Sequence, residues 1–362
     1  MKFSDVLEIK NGRNQKQVEN PNGKYPIYGS GGIMGYADDY ICEPYTVIIG
    51  RKGTINNPIY VETPFWNVDT AFGLQAKKDI LHPKYLYYFC VHFDFEALNT
   101  TVTIPSLTKA NLLNIDIPLP PLAEQTEIVD TLTSVDELIK IKKQQLELFD
   151  ELTKSRFIEL FGDPEDSTTK WERTTFSSVC IDMHQGINTV ADKVEYVNSG
   201  FPIIQSKNIT SGYLDLEDVR YVTESDYEYY RNKYNPKTSD LLVCNIGTIG
   251  KSLIVKNEVD FLIAWNLFLI KLNKELVNPI FIKVFIELLN QQNYFEKFMT
   301  GGTVKFVNKK TMGNISTPIP PMALQEQFAA FVEQTDKSKL AVQQSIGELE
   351  ELKKSLMQQY FG

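Results

Sequence analysis

Two segments of the chain share one spacing of apolar residues, with steps that alternate between four and three. The first segment places them at Ile128, Leu132, Val135, Ile139, Leu146 and Phe149. The second segment, 200 residues later and in the same register, places them at Phe328, Val332, Val342, Ile346, Leu349 and Leu356. This spacing is typical of helices that pair along a heptad seam. The sequence therefore predicts two long helices, over residues 121–162 and 321–362.

Both predicted helices begin after a proline pair and end at a glycine, which are common residues at helix starts and ends. About 40 residues at 1.5 Å each would extend roughly 60 Å. Lys142 interrupts the first seam, and Thr335 and Lys339 interrupt the second. Two interpretations follow. The helices form an antiparallel coiled coil that holds two domains a fixed distance apart, which we favour, or they pack as surface helices on one globular body.

The duplication extends beyond the helices. Residues 117–125 (IPLPPLAEQ) resemble residues 317–325 (TPIPPMALQ), and both long segments end in Phe-Gly. Near the start of each copy, FSDV at 3–6 matches FSSV at 176–179. The offset between the copies grows from 173 to 200, so the second copy equals the first plus insertions. A duplicated chain predicts two domains related by a pseudo-twofold axis.

The regions outside the helices mix short strand-like runs with turns and shorter helices. Residues 45–50 and 240–244 predict buried strands, and residues 83–95 and 279–299 predict aromatic-rich helices. The expected fold class is α+β. We expect globular domains at 1–120 and 163–320, separated by the long helices.

Composition limits the partners. Hydrophobic residues make up 43% of the chain, which supports packed cores, and the formal net charge is −9. The two helical segments carry −6 of that charge and the rest of the chain carries −3. Each globular region can therefore have a local basic face, whereas strong non-specific DNA binding by the chain alone is unexpected. The absence of a long apolar run or apolar N-terminal segment predicts a cytoplasmic location.

Three segments in each copy combine glycine with polar and basic residues, as nucleic-acid contacts often do. In the first copy they cover 28–36, 50–57 and 100–109; in the second they cover 205–213, 245–251 and 300–309. The candidate DNA contacts of the first copy are Tyr28, Ser30, Arg51, Lys52, Thr54, Asn56, Thr101, Thr103, Ser106 and Lys109. Those of the second copy are Gln205, Ser206, Lys207, Asn208, Asn245, Thr248, Lys251, Thr303, Lys305, Asn308 and Lys309.

Catalytic and metal-binding motifs are missing from the sequence. No Asn-Pro pair continues into the second proline that amino-methyltransferase motifs need, and the glycine run from Gly29 lacks the third glycine of a dinucleotide loop. Three histidines and four separate cysteines lack ligand spacing. We expect a non-enzymatic chain with no cofactor or metal of its own.

The repeated proline-rich helix starts, the terminal Phe-Gly, the YPIYGSGG run from Tyr25 and the GRKGT turn from Gly50 resemble the specificity (S) subunits of type I restriction–modification systems. This resemblance implies two target recognition domains that each read half of a split DNA sequence. It also implies two methyltransferase (M) subunits that bring S-adenosylmethionine, and a restriction (R) subunit that can join them. Because recognition domains vary within the family, the resemblance transfers no base-contacting residue.

Two other classes of function stay open from sequence. One is a self-contained DNA methyltransferase or nuclease with an unrecognised site, which would bind S-adenosylmethionine by itself. The other is a coiled-coil scaffold for proteins, which would not bind DNA in a salt-dependent manner when M subunits are present.

Overall fold

The structure is a computed structural model that describes residues 1–98, 106–166, 168, 170–256, 259–298 and 306–362. The chain divides into two compact units, one made of 1–145 with 342–362 and the other of 146–341. Both units combine helices with sheets, so the α+β prediction is confirmed. The residue boundaries predicted at 120, 162 and 320 stay predictions.

The described part of the first unit contains two sheets. Its elements are α1 (Phe3–Val6), β1 (Leu7–Asn11), β2 (Tyr25–Gly29), β3 (Gly32–Ala37), β4 (Thr46–Gly50), β5 (Ile59–Val61), β6 (Trp66–Asn67), β7 (Ala71–Ala76), α2 (Pro83–His92), a 3-10 turn (Phe95–Leu98) and α3 (Lys109–Leu113). One sheet is antiparallel in the order β1-β7-β4-β5. The other has the order β3-β2-β6, with β2 parallel to β6. The long helix α4 (Leu122–Phe161) follows.

The second unit repeats these two sheets. Its strands are β8 (Arg173–Thr175), β9 (Cys180–Gln185), β10 (Phe201–Ile204), β11 (Arg220–Val222), β12 (Leu241–Cys244), β13 (Ser252–Ile254), β14 (Leu262–Ile263), β15 (Leu267–Leu272) and β16 (Ser316–Pro318). Its helices are α5 (Glu224–Tyr234), α6 (Pro279–Gln291) and α7 (Lys309–Gly313), with 3-10 turns at Phe176–Val179, Ser206–Asn208 and Tyr294–Phe298; α8 (Met322–Phe361) ends the chain. The orders β9-β15-β12-β13 and β11-β10-β14 match those of the first unit strand for strand, and β16 pairs with β8. Helix α5 has no counterpart in the described part of the first unit and accounts for part of the insertion.

Local chemistry explains where the predicted elements begin and end. The strand predicted from residue 45 starts at Thr46, because Tyr45 has a φ of 67° and cannot extend the strand. The aromatic-rich helices start at a proline behind a side-chain cap, His82 for α2 and Asn278 for α6. Helix α2 stops at His92, since Phe93 is extended.

Most of the predicted seam is buried. The buried positions are Ile128, Leu132, Val135, Ile139, Phe328, Val332, Val342 and Ile346. Half-buried positions are Leu146, Phe149, Leu349 and Leu356. Within the first unit, Lys353 pairs with Asp136 at 2.6 Å and Lys143 with Glu350 at 2.9 Å. From Asp136 to Lys143 along α4, the paired residue on α8 moves back from Lys353 to Glu350. The two helices therefore run antiparallel there, as predicted.

The polar interruptions of the seam are accommodated locally. Thr335 is buried and its hydroxyl donates to the Phe331 carbonyl one turn earlier. Lys339 ends in an ion pair with Asp150 at 2.6 Å, within the second unit. The second helix therefore accommodates Thr335 and Lys339 without burying an unpaired polar group.

The C-terminal ends of both long helices lie in hydrophobic cores, a role that was not predicted from the sequence. Phe157 and Phe161 of α4 pack in the second unit against Phe281 and Phe328, with ring centroids 4.8 to 5.5 Å apart. In the first unit, Met357 and Phe361 of α8 join the core, and the Phe361 ring lies 5.0 Å from that of Tyr85. Each fully buried phenylalanine contributes about 1.5–3 kcal/mol of transfer free energy.

A buried glutamine attaches the start of each long helix to its unit. The Gln125 amide nitrogen donates to the carbonyls of Ile80 and Pro120, and its oxygen accepts from the His82 amide at 2.8 Å. Gln325 makes the same three bonds, to Leu276, Pro320 and Asn278. Both glutamines are 0% exposed. The side chain thereby joins the helix start to the chain that leads into α2 or α6.

Substitution of Gln125 by alanine should lower the stability of the first unit by about 2 kcal/mol or more, because it leaves buried backbone groups without partners. Urea unfolding, together with hydrogen exchange at the start of α2, measures the loss. Gln144→Ala is the matched control, since Gln144 is exposed on the same helix. Equal stability of the two variants would show that the network is dispensable.

Candidate nucleic-acid interface

The three predicted segments of the first unit meet at the end of β4. A Cβ atom at Gly50 would lie 2.0 Å from the Thr54 carbonyl oxygen and 3.0 Å from the Ser30 Cβ, so the first two segments are in close contact. Lys52 forms an isolated bridge with Ser106, and the Leu107 amide donates to the Arg51 carbonyl at 2.9 Å. The described part of the third segment therefore lies alongside the second.

The second unit brings its segments together at the end of β12. The Val307 amide donates to the Asn245 carbonyl at 3.0 Å, and Ile246 bridges Phe306. These are the same two contacts that join the second and third segments of the first unit, at offsets of 194 and 200. The first segment is joined through Asn266. Its side-chain amide donates to the Ser206 hydroxyl at 2.8 Å, and its carbonyl accepts from the Asn245 amide of the second segment at 3.2 Å.

A matched glycine shapes the second segment in each unit. Gly53 has a φ of 80° and Gly247 a φ of 76°, in the left-handed region that other residues rarely adopt. The glycine therefore has the same conformation in both units, whereas the two residues before it differ, Arg51 and Lys52 in one and Asn245 and Ile246 in the other. Such a turn keeps the backbone constant and leaves the chemistry of its surface free to vary.

The first unit exposes a small cationic surface at this place. Arg51, Lys52 and Thr54 are exposed, and neither cation forms an ion pair with a described residue. The Arg51 guanidinium lies 5.7 Å from the centre of the Phe72 ring. Such unpaired cations are suited to phosphate oxygens or to the acceptor atoms of guanine.

Tyr28 and Ser30 are half-buried beside this cationic surface. Burial raises the pKa of Tyr28, so its hydroxyl stays protonated at neutral pH and can donate a hydrogen bond. Ser106 is also half-buried. The cationic surface of Arg51 and Lys52 is therefore bordered by neutral hydroxyl groups.

Two candidates of the first unit have structural partners. The Asn56 amide donates to Asp94 at 2.8 Å and accepts from the Phe95 backbone at 2.7 Å. The Lys109 ammonium is exposed but donates to the Ile9 carbonyl at 2.8 Å. A DNA contact by either side chain would have to compete with these bonds.

The second unit is less cationic at the matching surface. Thr248, Lys251 and Lys309 are exposed, and Gln205 and Ser206 are half-buried. Lys207 is exposed and pairs with Asp218 at 2.5 Å. A phosphate would therefore compete with a carboxylate for Lys207, whereas Lys251 and Lys309 form no ion pair with a described residue.

Three asparagines of the second unit face inward or serve as caps. Asn208 is buried and bonds to the Gln205 amide and the Asp218 carbonyl, and Asn308 caps α7 through the Thr311 amide. Asn245 is fully buried, and its side-chain amide has no hydrogen-bond partner. Contact between these side chains and DNA would need a rearrangement. The predicted contacts Thr101, Thr103, Thr303 and Lys305 lie outside the described residues.

One turn in each unit belongs to the same surface and was missed from the sequence. The Asn245 amide donates to the Asn266 carbonyl, and the Arg51 amide donates to the Thr70 carbonyl, so these turns before β15 and β7 correspond. In the sequence, Asn266 interrupts an otherwise apolar run from 261 to 270, which suggests one continuous strand. This single polar residue was the signal for a turn.

No described group of residues suits catalysis or metal binding. The described chain holds no cluster of three or more His, Cys, Asp or Glu residues that could bind a metal. Burial raises the pKa of Cys42 to about 12 and that of Cys244 to about 11, so both remain thiols at neutral pH. None of the helices in the described ranges is long and apolar enough to span a membrane.

Known proteins are similar to this chain over most of its length. The family model for the type I restriction modification DNA specificity domain matches residues 1–148 and again 169–354. The EcoBI specificity subunit of Escherichia coli is 23% identical, with 94% of this chain and 77% of that protein covered. A putative type I specificity subunit of Haemophilus influenzae is 24% identical, with 90% and 85% covered.

Solved structures agree on the fold. The S subunit of a type I system from M. genitalium superposes with a TM-score of 0.62 at 16% identity, over 100% of this chain and 95% of that one. A chain from a type I system whose complex assembly was studied gives 0.61, over 99% and 96%. With the family model matched twice across most of its length, the chain belongs to the type I restriction–modification DNA specificity family.

Proposed function

We propose that each unit reads one half of a bipartite DNA target and that the paired helices set the spacer between the halves. The observation that carries this proposal is the convergence of three polar segments at one strand end in each unit, with the second and third segments joined by the same two contacts. The backbones of the two surfaces correspond there, whereas several of their side chains differ. Two surfaces of this kind suit two different half-sites.

Catalysis would come from partners. We propose that two M subunits bind the chain, carry S-adenosylmethionine and methylate adenine, and that an ATP-dependent R subunit can join them. One structurally similar chain comes from a type I system that assembles into a complex, which supports partner binding here. The chain would act where DNA and these partners are, in the cytoplasm. The net charge of −9 is consistent with partners that supply part of the contact with phosphates.

An exchange of residues 163–320 for those of another family member tests half-site reading. We expect one half of the methylated motif to change while the other half and the spacer length stay constant, because the first unit's surface and the long helices are retained. Sequencing of methylated bases in cells that express the variant with its M subunits gives the motif. Circular dichroism and co-purification with M subunits establish folding and assembly.

A change in both halves of the motif would contradict independent reading, and a changed spacer would contradict the role of the helices. S-adenosylmethionine binding separates the alternatives. It should require M subunits, whereas binding by the purified chain alone would favour a self-contained methyltransferase.

Alanine substitution of Arg51 or Lys52 should weaken DNA binding by the complex without unfolding the chain. Loss of a phosphate contact should reduce the salt slope of log K by about one, and loss of a base contact should cost about 1–3 kcal/mol and relax one position. Titration of target DNA at several salt concentrations distinguishes the two. Lys78→Ala is the control, because Lys78 is exposed in the same unit outside the three segments. Wild-type affinity for both variants would mean that this turn is structural.

A further inference from the structure

The turns before β15 and β7 occupy equivalent places in the two units but carry different chemistry. The Gly186 amide donates to the Leu267 carbonyl at 3.0 Å, as Gly12 does to Ala71 at 3.2 Å. These bonds match Leu267 with Ala71, so Asn266 is the counterpart of Thr70 and Trp265 is the counterpart of Asp69. Any difference between these residues is therefore a difference between two equivalent surface positions.

Trp265 presents a large ring on a fixed backbone. Its side chain is 46% exposed. Its amide donates to the Ile187 carbonyl at 2.9 Å, and its carbonyl accepts from the Gln185 side chain. Tryptophan is usually well buried, because its ring gains much from leaving water. Hydrogen bonds fix the backbone of Trp265 while its ring stays exposed. The residue therefore presents an apolar surface, available for contact with a ligand, at a defined position.

Polar side chains lie next to Trp265, in the same turn and in the adjoining segments. The neighbouring Asn266 exchanges hydrogen bonds with Ser206, and the exposed Thr248 lies in the adjoining segment. A tryptophan at a protein interface is typically central to a well-packed, desolvated pocket. An aromatic ring among amides and hydroxyls fits a nucleobase better, because the ring stacks on the base while the polar groups address its edges.

The first unit carries charge at the equivalent place. Arg13, Arg51, Lys52 and Asp69 are all exposed there. In the second unit the corresponding positions are Ile187 and Asn245, both buried, Ile246, half-buried, and Trp265. At these four matched positions the first unit thus offers three cations and a carboxylate, whereas the second unit offers one aromatic ring.

We propose that Trp265 is a specificity-determining residue of the second unit, which contacts a base step of its half-site by stacking or partial insertion. The first unit contacts its half-site mainly through charge at the matching turn. This inference rests on the proposed function, because it assumes that each unit reads its own half-site. Apolar side chains that insert between base pairs unstack and kink DNA, which makes recognition sensitive to the flexibility of that step.

The test measures target affinity of the complex with M subunits over a series of salt concentrations. Trp265→Ala should weaken binding about 5- to 150-fold, the range for loss of one stacked base, with no change in salt slope. Trp265→Phe keeps a ring and should retain most of the affinity. Ile181→Ala is the matched control, since Ile181 is 74% exposed in the same unit at the other end of β9.

The target carries two half-sites, which makes the test specific. On DNA with the second half-site replaced, the difference between wild type and Trp265→Ala should disappear; on DNA with the first half-site replaced, it should remain. Wild-type affinity of Trp265→Ala on the full target would overturn the inference. Loss of assembly with M subunits in the absence of DNA would also overturn it and identify a protein contact. A wild-type complex that distinguishes neither half-site would instead mean that the proposed function has failed.

Discussion

Closure of each core by the end of a long helix is the constraint on which the rest of the structure depends. Phe161 lies among Phe281 and Phe328 in the second unit, and Phe361 lies against Tyr85 in the first. The first unit includes residues 342–362, which are far from the rest of that unit in sequence, and the second unit includes residues 146–161, which belong to the long helix of the first copy. Each long helix therefore contributes to both cores, with its start in one core and its end in the other.

The same construction holds the candidate nucleic-acid interface in place. Buried glutamines at the start of each long helix join it to the chain before α2 and α6, and those helices pack in the cores beneath strands β4 and β12. The candidate contacts lie where these strands end. A surface supported in this way can change its exposed side chains with little cost to stability, because exposed residues such as Arg51 and Lys52 belong to neither core. A specificity subunit benefits from this separation, and it needs no catalytic group of its own.

Much of this organisation could be predicted because it depends on local patterns. The heptad spacing predicted the two long helices, α4 and α8, and the polar segments that the sequence matches between the copies are the ones that lie together in each unit. The aromatic ends of those helices could not be assigned to a core, since contact between Phe361 and Tyr85 joins residues 276 positions apart. The burial of single residues could not be predicted either. Asn245 has the sequence context of a surface residue in a glycine-rich turn, yet it is fully buried. Trp265 has the composition of a core residue, yet it is exposed. Composition suggests burial, but the path of the chain decides it.

Hydrogen exchange on two matched variants tests the central claim most directly. Removal of a buried phenylalanine ring costs about 3–5 kcal/mol, enough to increase exchange throughout the affected core. Phe361→Ala should accelerate exchange in α2 of the first unit and leave α6 of the second unit protected, although the substitution lies at the end of the second copy. Phe161→Ala should have the reverse effect. If Phe361→Ala instead exposes α6 and leaves α2 unchanged, each copy closes its own core and this account of the chain is wrong.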